Sequence, residues 1–257
     1  MIIEKSLSNS KHSNSSDAFG QAAWDYYNNI SNKGTHVIER EDGYIDVTRS
    51  STMQMYFSNF KDWFPIEKTA IKFARGKVLD IGCGAGRHCL YLQKKNHYVL
   101  GIDNSPLAIK VAKARGLKHA IVLNFENVEQ LKPLRFDTIL MLGHNFGLFG
   151  SFRNTRMLLT TLYSLTTPHG LIMASTLNPY GNSPEHKEYH KLNKKRGRMG
   201  GQVRIRIRYK KLIGPWLDYL FVSQTELKQI LSGTGWKIKK IFTQKDSPIY
   251  SMILNKK

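Results

Sequence analysis

Val78-Leu79-Asp80-Ile81-Gly82-Cys83-Gly84-Ala85-Gly86-Arg87-His88 is the stretch that decides the fold. A short apolar run ends in an acid, three alternating glycines follow, and Arg87 to Lys95 suits a helix. Strand, tight turn and helix N-terminus together form a nucleotide-binding corner. Glycine reaches φ/ψ values closed to other residues and lets a ligand come close to the backbone. One β-α unit later a second apolar run, Tyr98-Val99-Leu100-Gly101-Ile102, ends in Asp103. An acid at that strand end is placed to hold a ribose diol.

Taken alone, a Gly-x-Gly-x-Gly turn is common in loops; with Asp80 before it and Asp103 after it, the pattern is specific. On these residues the chain resembles the class I S-adenosylmethionine-dependent methyltransferases. Asp80-Ile81-Gly82-Cys83-Gly84-Ala85-Gly86 matches that family's first motif, and Gly101-Ile102-Asp103-Asn104-Ser105 its second. The likeness runs from about Lys77 to the C-terminus. Dinucleotide enzymes usually space the third glycine one residue further on. The resemblance implies S-adenosyl-L-methionine as donor, held at Asp80, Gly82, Cys83, Gly84, Gly86 and Asp103, with Asn104 beside the adenine and Gly143 contributing from a later loop. The family usually offers adenine an acid or amide at the end of the third strand. Asn124 is the candidate here, and the lack of an aspartate is a departure from the pattern.

From Lys77 onward, strands and helices alternate as in a doubly wound α/β fold, a Rossmann-like sheet of seven mostly parallel strands. The parallel strands are expected at 77–81, 98–102, 120–123, 136–142 and 171–176. Helices are expected at 86–95, 106–115 with Ser105 as N-cap, 154–166 stopped by Pro168, and 224–232. The strands 236–242 and 249–254 would close an antiparallel end typical of the family. Residues 1–18, rich in Ser, Asn and Lys, read as a disordered tail. Residues 19–76 read as an aromatic, partly helical cap: Glu41-Asp42-Gly43 turns between two extended pieces, and Pro65 breaks a helical region over 53–75 that resumes from Ile66 to Ala74. The 77–257 domain carries an insertion, 177–223, longer than a plain connection needs. Within it Val203 to Tyr209 alternates strictly, with Trp216 to Val222 as its hairpin partner, so the insertion reads as a lid.

After the fourth strand comes Gly143-His144-Asn145-Phe146. In the family this loop faces the methyl group and often the acceptor. Methyl transfer is an in-line displacement on a donor that carries its own activation, so the protein must align the acceptor and remove a proton where one is released. His144 is the candidate base, and Asn145 is placed to position the acceptor. The loop is similar to that of small-molecule N-methyltransferases and lacks the Asn-Pro-Pro-Tyr of nucleic-acid amino methyltransferases. Within the insertion, Tyr180, Arg206, Trp216 and Tyr219 are the candidate acceptor contacts.

The chain has 257 residues and a formal net charge of +20. Its two cysteines, Cys83 and Cys89, give neither a disulfide framework nor metal spacing, and no metal is expected. With no secretory signal and no apolar run long enough to span a bilayer, a cytoplasmic location is expected. The expected reaction is methylation of nitrogen or oxygen on a small-molecule acceptor. The alternative acceptor is ribosomal or transfer RNA, its phosphates gripped by the basic insertion; Arg204, Arg206 and Arg208 share one strand face. A non-catalytic protein that binds the donor is a third, weaker reading.

Overall fold

A computed structural model of the chain describes residues 17–30, 35–46, 52–181 and 184–257. The expected tail therefore lies outside the described residues as far as Ser16, and its last two positions, Asp17 and Ala18, open the first helix. Seven strands form the main sheet in the order β11-β12-β7-β6-β3-β4-β5. They are β3 (Lys77–Ile81), β4 (Tyr98–Asp103), β5 (Ala120–Val122), β6 (Phe136–Met141), β7 (Thr166–Leu177), β11 (Trp236–Thr243) and β12 (Ile249–Lys256). β4 runs parallel to β5 and β6 to β7, while β12 is antiparallel to both β7 and β11. This is the α/β, Rossmann-like sheet that the alternating pattern implies.

The described chain divides into two compact units. The first comprises residues up to 63, 79–128 and 205–216. In it α1 (Ala18–Tyr27) and α2 (Met53–Phe57) precede the glycine turn, α4 (Arg87–Lys94) follows it, and α5 (Pro106–Ala114) follows β4. α1 turns a face of small residues, Ala18, Ala22 and Ala23, into a cluster with Met53 and Tyr209. Short side chains there allow close packing, and the neighbouring Phe19, Tyr26, Tyr56 and Phe57 fill the rim. Asp17 caps α1 through Gly20 N at 2.8 Å, and its other oxygen accepts from Ser105 Oγ at 2.8 Å. Ser105 caps α5 in turn, accepting from Ala108 N at 2.9 Å, as its position before Pro106 suggests.

β1 (Val37–Arg40) and β2 (Ile45–Asp46) flank the expected Glu41-Asp42-Gly43 turn. β1 also pairs antiparallel with β8 (Gln202–Tyr209) of the insertion, placing Glu39 opposite Arg206. β9 (Leu212–Ile213) returns on β8 across the two-residue turn Lys210-Lys211, where Lys210 has φ 52°. β9 thus makes the tight hairpin with β8, a short strand not expected from the sequence, while the expected partner within Trp216–Val222 pairs with β8 as well. β10 (Leu217–Leu220) lies on the other edge, in the order β10-β8-β1-β2.

The second unit comprises 64–78, 129–204 and 217–257. Its helices are α3 (Pro65–Ile71), α6 (Phe152–Ser164), α7 (Pro184–Lys195) and α8 (Gln224–Leu231). Pro65 is itself the first residue of α3, one ahead of the expected resumption at Ile66, because its fixed φ suits a helix start and its missing N–H costs nothing there. The preceding segment instead breaks at Ser58-Asn59, after α2. α6 ends at Ser164, so Pro168 does not stop it. That proline lies inside β7, where the ladder to β6 shifts register between Phe136 and Thr138 and no N–H is required of it. Asn193, fully buried on α7, donates to the carbonyls of Gly200 and Gln202 and fixes the entry into β8.

Candidate active site

In the first unit, Gly82 N and Cys83 N both donate to Ile102 O, at 2.9 and 3.0 Å, stitching the turn after β3 to the end of β4. Gly82, Gly84 and Gly86 have φ of 73°, 53° and 81°, the left-handed region where a side chain is strained. A Cβ on Gly84 would lie 3.6 Å from Phe19 Cζ and 4.0 Å from Tyr56 Cδ1, and one on Gly86 3.3 Å from Ala112 Cβ. At Gly84 these are ordinary contact distances, so its positive φ rather than space calls for glycine, whereas at Gly86 a side chain would also crowd α5.

Asp103 holds the corner from the β4 side. Gly84 N donates to Oδ2 at 2.8 Å and Ser105 N to Oδ1 at 2.9 Å. Each oxygen keeps a lone pair, which is what two ribose hydroxyls require. Burial pushes the Asp103 carboxyl up to about 6, against the pull of those two amides. Asp80, 1% exposed, accepts from the Cys89 thiol at 3.0 Å. Burial raises it to about 7, although the Cys89 bond and the Arg87 guanidinium pull the other way.

Arg87 carries no mark in the motif reading, yet it is buried, its guanidinium 5.5 Å from the Trp63 ring centre and 3.5 Å from Ser58 Oγ. A signal was there: a cation in the first turn of a helix opposes the helix dipole and needs another reason. Cys83 is buried, its thiol 3.8 Å from Gly84 O. Asn104 is exposed, while Asn124 closes its own turn by accepting from Glu126 N at 3.1 Å.

In the second unit, Gly143 and His144 both have φ of 69°. For a histidine this is an uncommon conformation that surrounding contacts must hold. Three side chains do so. Gly143 N donates to Glu67 Oε1 at 3.0 Å, and His144 N to Ser175 Oγ at 2.9 Å. Tyr219 donates its hydroxyl to His144 O at 2.6 Å. Glu67 is only 3% exposed. The Tyr219 ring also fills the space over Gly147, where a Cβ would come within 2.1 Å of its Cε1. The His144 ring lies edge-on to Phe221, 6.4 Å between centres. Asn145 begins the 3₁₀ turn Asn145–Phe149 that follows.

The four expected acceptor contacts fall two in each unit. Tyr219 reaches the loop backbone. Tyr180, on the same unit, bonds Glu226 and stands edge-on to His190 at 5.3 Å. Arg206 and Trp216 belong to the first unit. Arg206 grips Glu39 with Nε and Nη2, at 2.8 and 2.9 Å, and lies 4.4 Å over the Trp216 ring. Arg208 joins the same carboxylate at 3.2 Å. These bonds hold the Glu39 carboxyl below its ordinary range. Glu67, Ser175 and Phe19 were missed in the sequence because each acts through residues far along the chain. Among the described residues no group of His, Cys, Asp and Glu is placed to hold a metal ion, and no helix is long and apolar enough to cross a membrane.

A family model described as a methyltransferase domain matches residues 57–241. The fold is similar to that of a SAM-dependent methyltransferase from Bacteroides fragilis in complex with S-adenosyl-L-homocysteine: TM-score 0.80, 25% identity, 96% of this chain and 98% of that one. It is also similar to SAM-dependent methyltransferases from Methanosarcina mazei, with TM-score 0.59 and 16% identity over 76% of this chain and 98% of that one. Among curated sequences, a ubiquinone biosynthesis O-methyltransferase of Bradyrhizobium diazoefficiens is 32% identical over 105 residues. That match spans only 40% of this chain and 40% of the relative's length. With the glycine corner, its two acids and the matched domain in agreement, the chain belongs to the methyltransferase-domain family and is a class I S-adenosylmethionine-dependent methyltransferase.

Proposed function

We propose that the enzyme methylates a hydroxyl oxygen or an amine nitrogen of a small-molecule acceptor, with His144 as the proton acceptor. The observation that carries this reading is the turn at Gly143-His144, strained and pinned on three backbone groups by Glu67, Ser175 and Tyr219. Strain so closely supported marks a residue whose placement matters. Oxygen is favoured by the name of the curated relatives, O-methyltransferases of ubiquinone biosynthesis.

The donor, when bound, supplies a methyl carbon already activated as a sulfonium. Asp103 would accept the ribose hydroxyls, with Asn104 and Asn124 toward the adenine. Backbone at Gly82, Cys83, Gly84 and Gly86 would line the donor. Asp80 would complement its amino group and Arg87 its carboxylate. His144 takes the proton that the acceptor loses, since an imidazole titrates near neutrality. Asn145 orients the acceptor by hydrogen bonding, with Tyr180 as a further contact. RNA is the weaker alternative because Arg206 and Arg208, the arginines that would grip phosphates, are engaged by Glu39.

Radiolabelled S-adenosylmethionine incubated with a panel of phenols and amines, and separately with total RNA, tests the proposal. Label is expected in the small-molecule fraction; label confined to RNA would overturn the acceptor class. His144→Ala should cut turnover by roughly a hundredfold, within the usual worth of a general base, and leave S-adenosylhomocysteine affinity unchanged. A wild-type rate would end the base assignment.

A further inference from the structure

The insertion after β7 reads from sequence as a lid for the acceptor, but part of it is tied to the donor side. Asp25, 3% exposed on α1, accepts from Gln21 Nε2 at 2.7 Å and from Tyr209 Oη at 3.0 Å. Lys210 Nζ reaches the same carboxylate at 2.5 Å from the β8–β9 turn. Burial pushes the Asp25 carboxyl up, but the bonds from Lys210, Gln21 and Tyr209 outweigh it and hold the group below its ordinary range. An ionised carboxylate so enclosed is stable only while its donors stay in place.

The other end of α1 is fastened separately. Asp17 accepts from Ser105 Oγ and from Leu107 N at 3.3 Å, and Ser105 N donates to Asp103. Between the two fastenings, Phe19 stands over Gly84, its Cζ 3.6 Å from where a Cβ there would sit, and is edge-on to Tyr56, 5.1 Å between ring centres. Arg115 adds a bond to Ala85 O at 2.5 Å while lying 4.5 Å over the Phe57 ring. α1 is thus a bar clamped at both ends, with its aromatic side chain on the turn that receives the donor.

We propose that Asp25 is a positioning residue for donor binding: by tying Tyr209 and Lys210 of the insertion to α1, it holds Phe19 against the glycine turn. The inference rests on the placement of the donor at that turn. Asp25 touches only protein, so its effect passes through the pose of α1. Releasing that end lets the bar pivot on Asp17 and uncovers the corner, which speeds donor escape more than it slows entry.

The test is S-adenosylhomocysteine binding, measured by calorimetry and by dissociation rate in stopped flow. Hydrogen exchange of the 17–30 segment without ligand gives a second readout. Asp25→Ala should weaken binding by about tenfold or more, chiefly through faster dissociation, and speed exchange in that segment. Asp25→Asn, which can still accept from the Tyr209 hydroxyl, should restore most of the affinity. A folded Asp25→Ala protein with a lower melting temperature but wild-type dissociation would show a structural role only and overturn the proposal. Should Asp25→Ala fail to fold, the double variant Tyr209→Phe, Lys210→Met removes the same ties, and wild-type dissociation there would overturn it equally. Wild-type protein that fails to bind S-adenosylhomocysteine would bring down the donor placement itself, an outcome distinct from variants that bind as well as the wild type.

Discussion

The glycine corner and the His144 loop are both turns at the end of a parallel strand, and both rest on left-handed residues. They are held in opposite ways. The corner is supported by its near neighbours: Ile102 O, the Asp103 carboxylate and Ser105 N all belong to the next β-α unit. The loop is supported by side chains from three separate parts of the chain, on α3, β7 and β10. A turn that backbone and near neighbours define can be written as a motif. A turn held from afar has no such local signature, and each support can be removed singly without touching the loop sequence.

That difference is sharpest in the expected effect of losing one side chain. At the corner, Asp103→Ala removes the partner of two backbone amides and, in the proposed placement, of the ribose together. S-adenosylhomocysteine affinity should fall by a hundredfold or more, about 3 kcal/mol, as expected for hydrogen bonds to a charged group. Calorimetry beside circular dichroism checks this, and unchanged affinity in a folded protein would break the corner's half of the comparison.

A smaller effect is expected from pH alone. Asp103 sits near 6 without ligand, and hydrogen bonds from ribose hydroxyls favour its ionised form. Donor binding then releases a proton, and the donor's amino group favours ionised Asp80, at about 7, as well, so affinity should rise from pH 5 through about 7, with at least roughly tenfold lost at pH 5 relative to the plateau. For stability the sign is reversed. The folded state holds the protons of Asp80 and Asp103 more tightly than the unfolded chain does, with folded values of about 7 and about 6. Their contribution is therefore full below the unfolded carboxylate value, ~4, and is lost as pH rises toward 7. Melting temperature and binding, followed across the same pH series, should move in opposite directions.

The smallest effect belongs to the loop. Tyr219→Phe deletes only the hydroxyl that Tyr219 donates to His144 O, leaving the ring over Gly147. Turnover should drop by about fivefold, in line with ~1 kcal/mol for one neutral hydrogen bond, with donor affinity unchanged. Equal losses in turnover and donor affinity would erase the distinction between the two turns.

Much of the fold was legible because the signals are local. Asp80 to Gly86, Asp103, Ser105 before Pro106 and the apolar runs of β3, β4 and β6 each announce themselves within a few residues. Prolines were legible only in part. Pro65 reads equally as a stop and as a first helical residue, and contacts decided for the latter. Arg206 presents the same ambiguity: in sequence it is one of three arginines on a strand face, and the pairing of β8 with β1 turns it toward Glu39.

The sequence by itself determined the sheet, the glycine corner and the methyltransferase family, because periodicity, glycine conformation and neighbouring acids act over one or two turns of chain. Only the tertiary structure decided that Glu67, Ser175 and Tyr219 pin the His144 turn and that Asp25 joins α1 to the insertion. Those contacts are hydrogen bonds between segments tens to well over a hundred residues apart. Their partners are fixed by how strands register and helices pack, which no local pattern of residue types encodes.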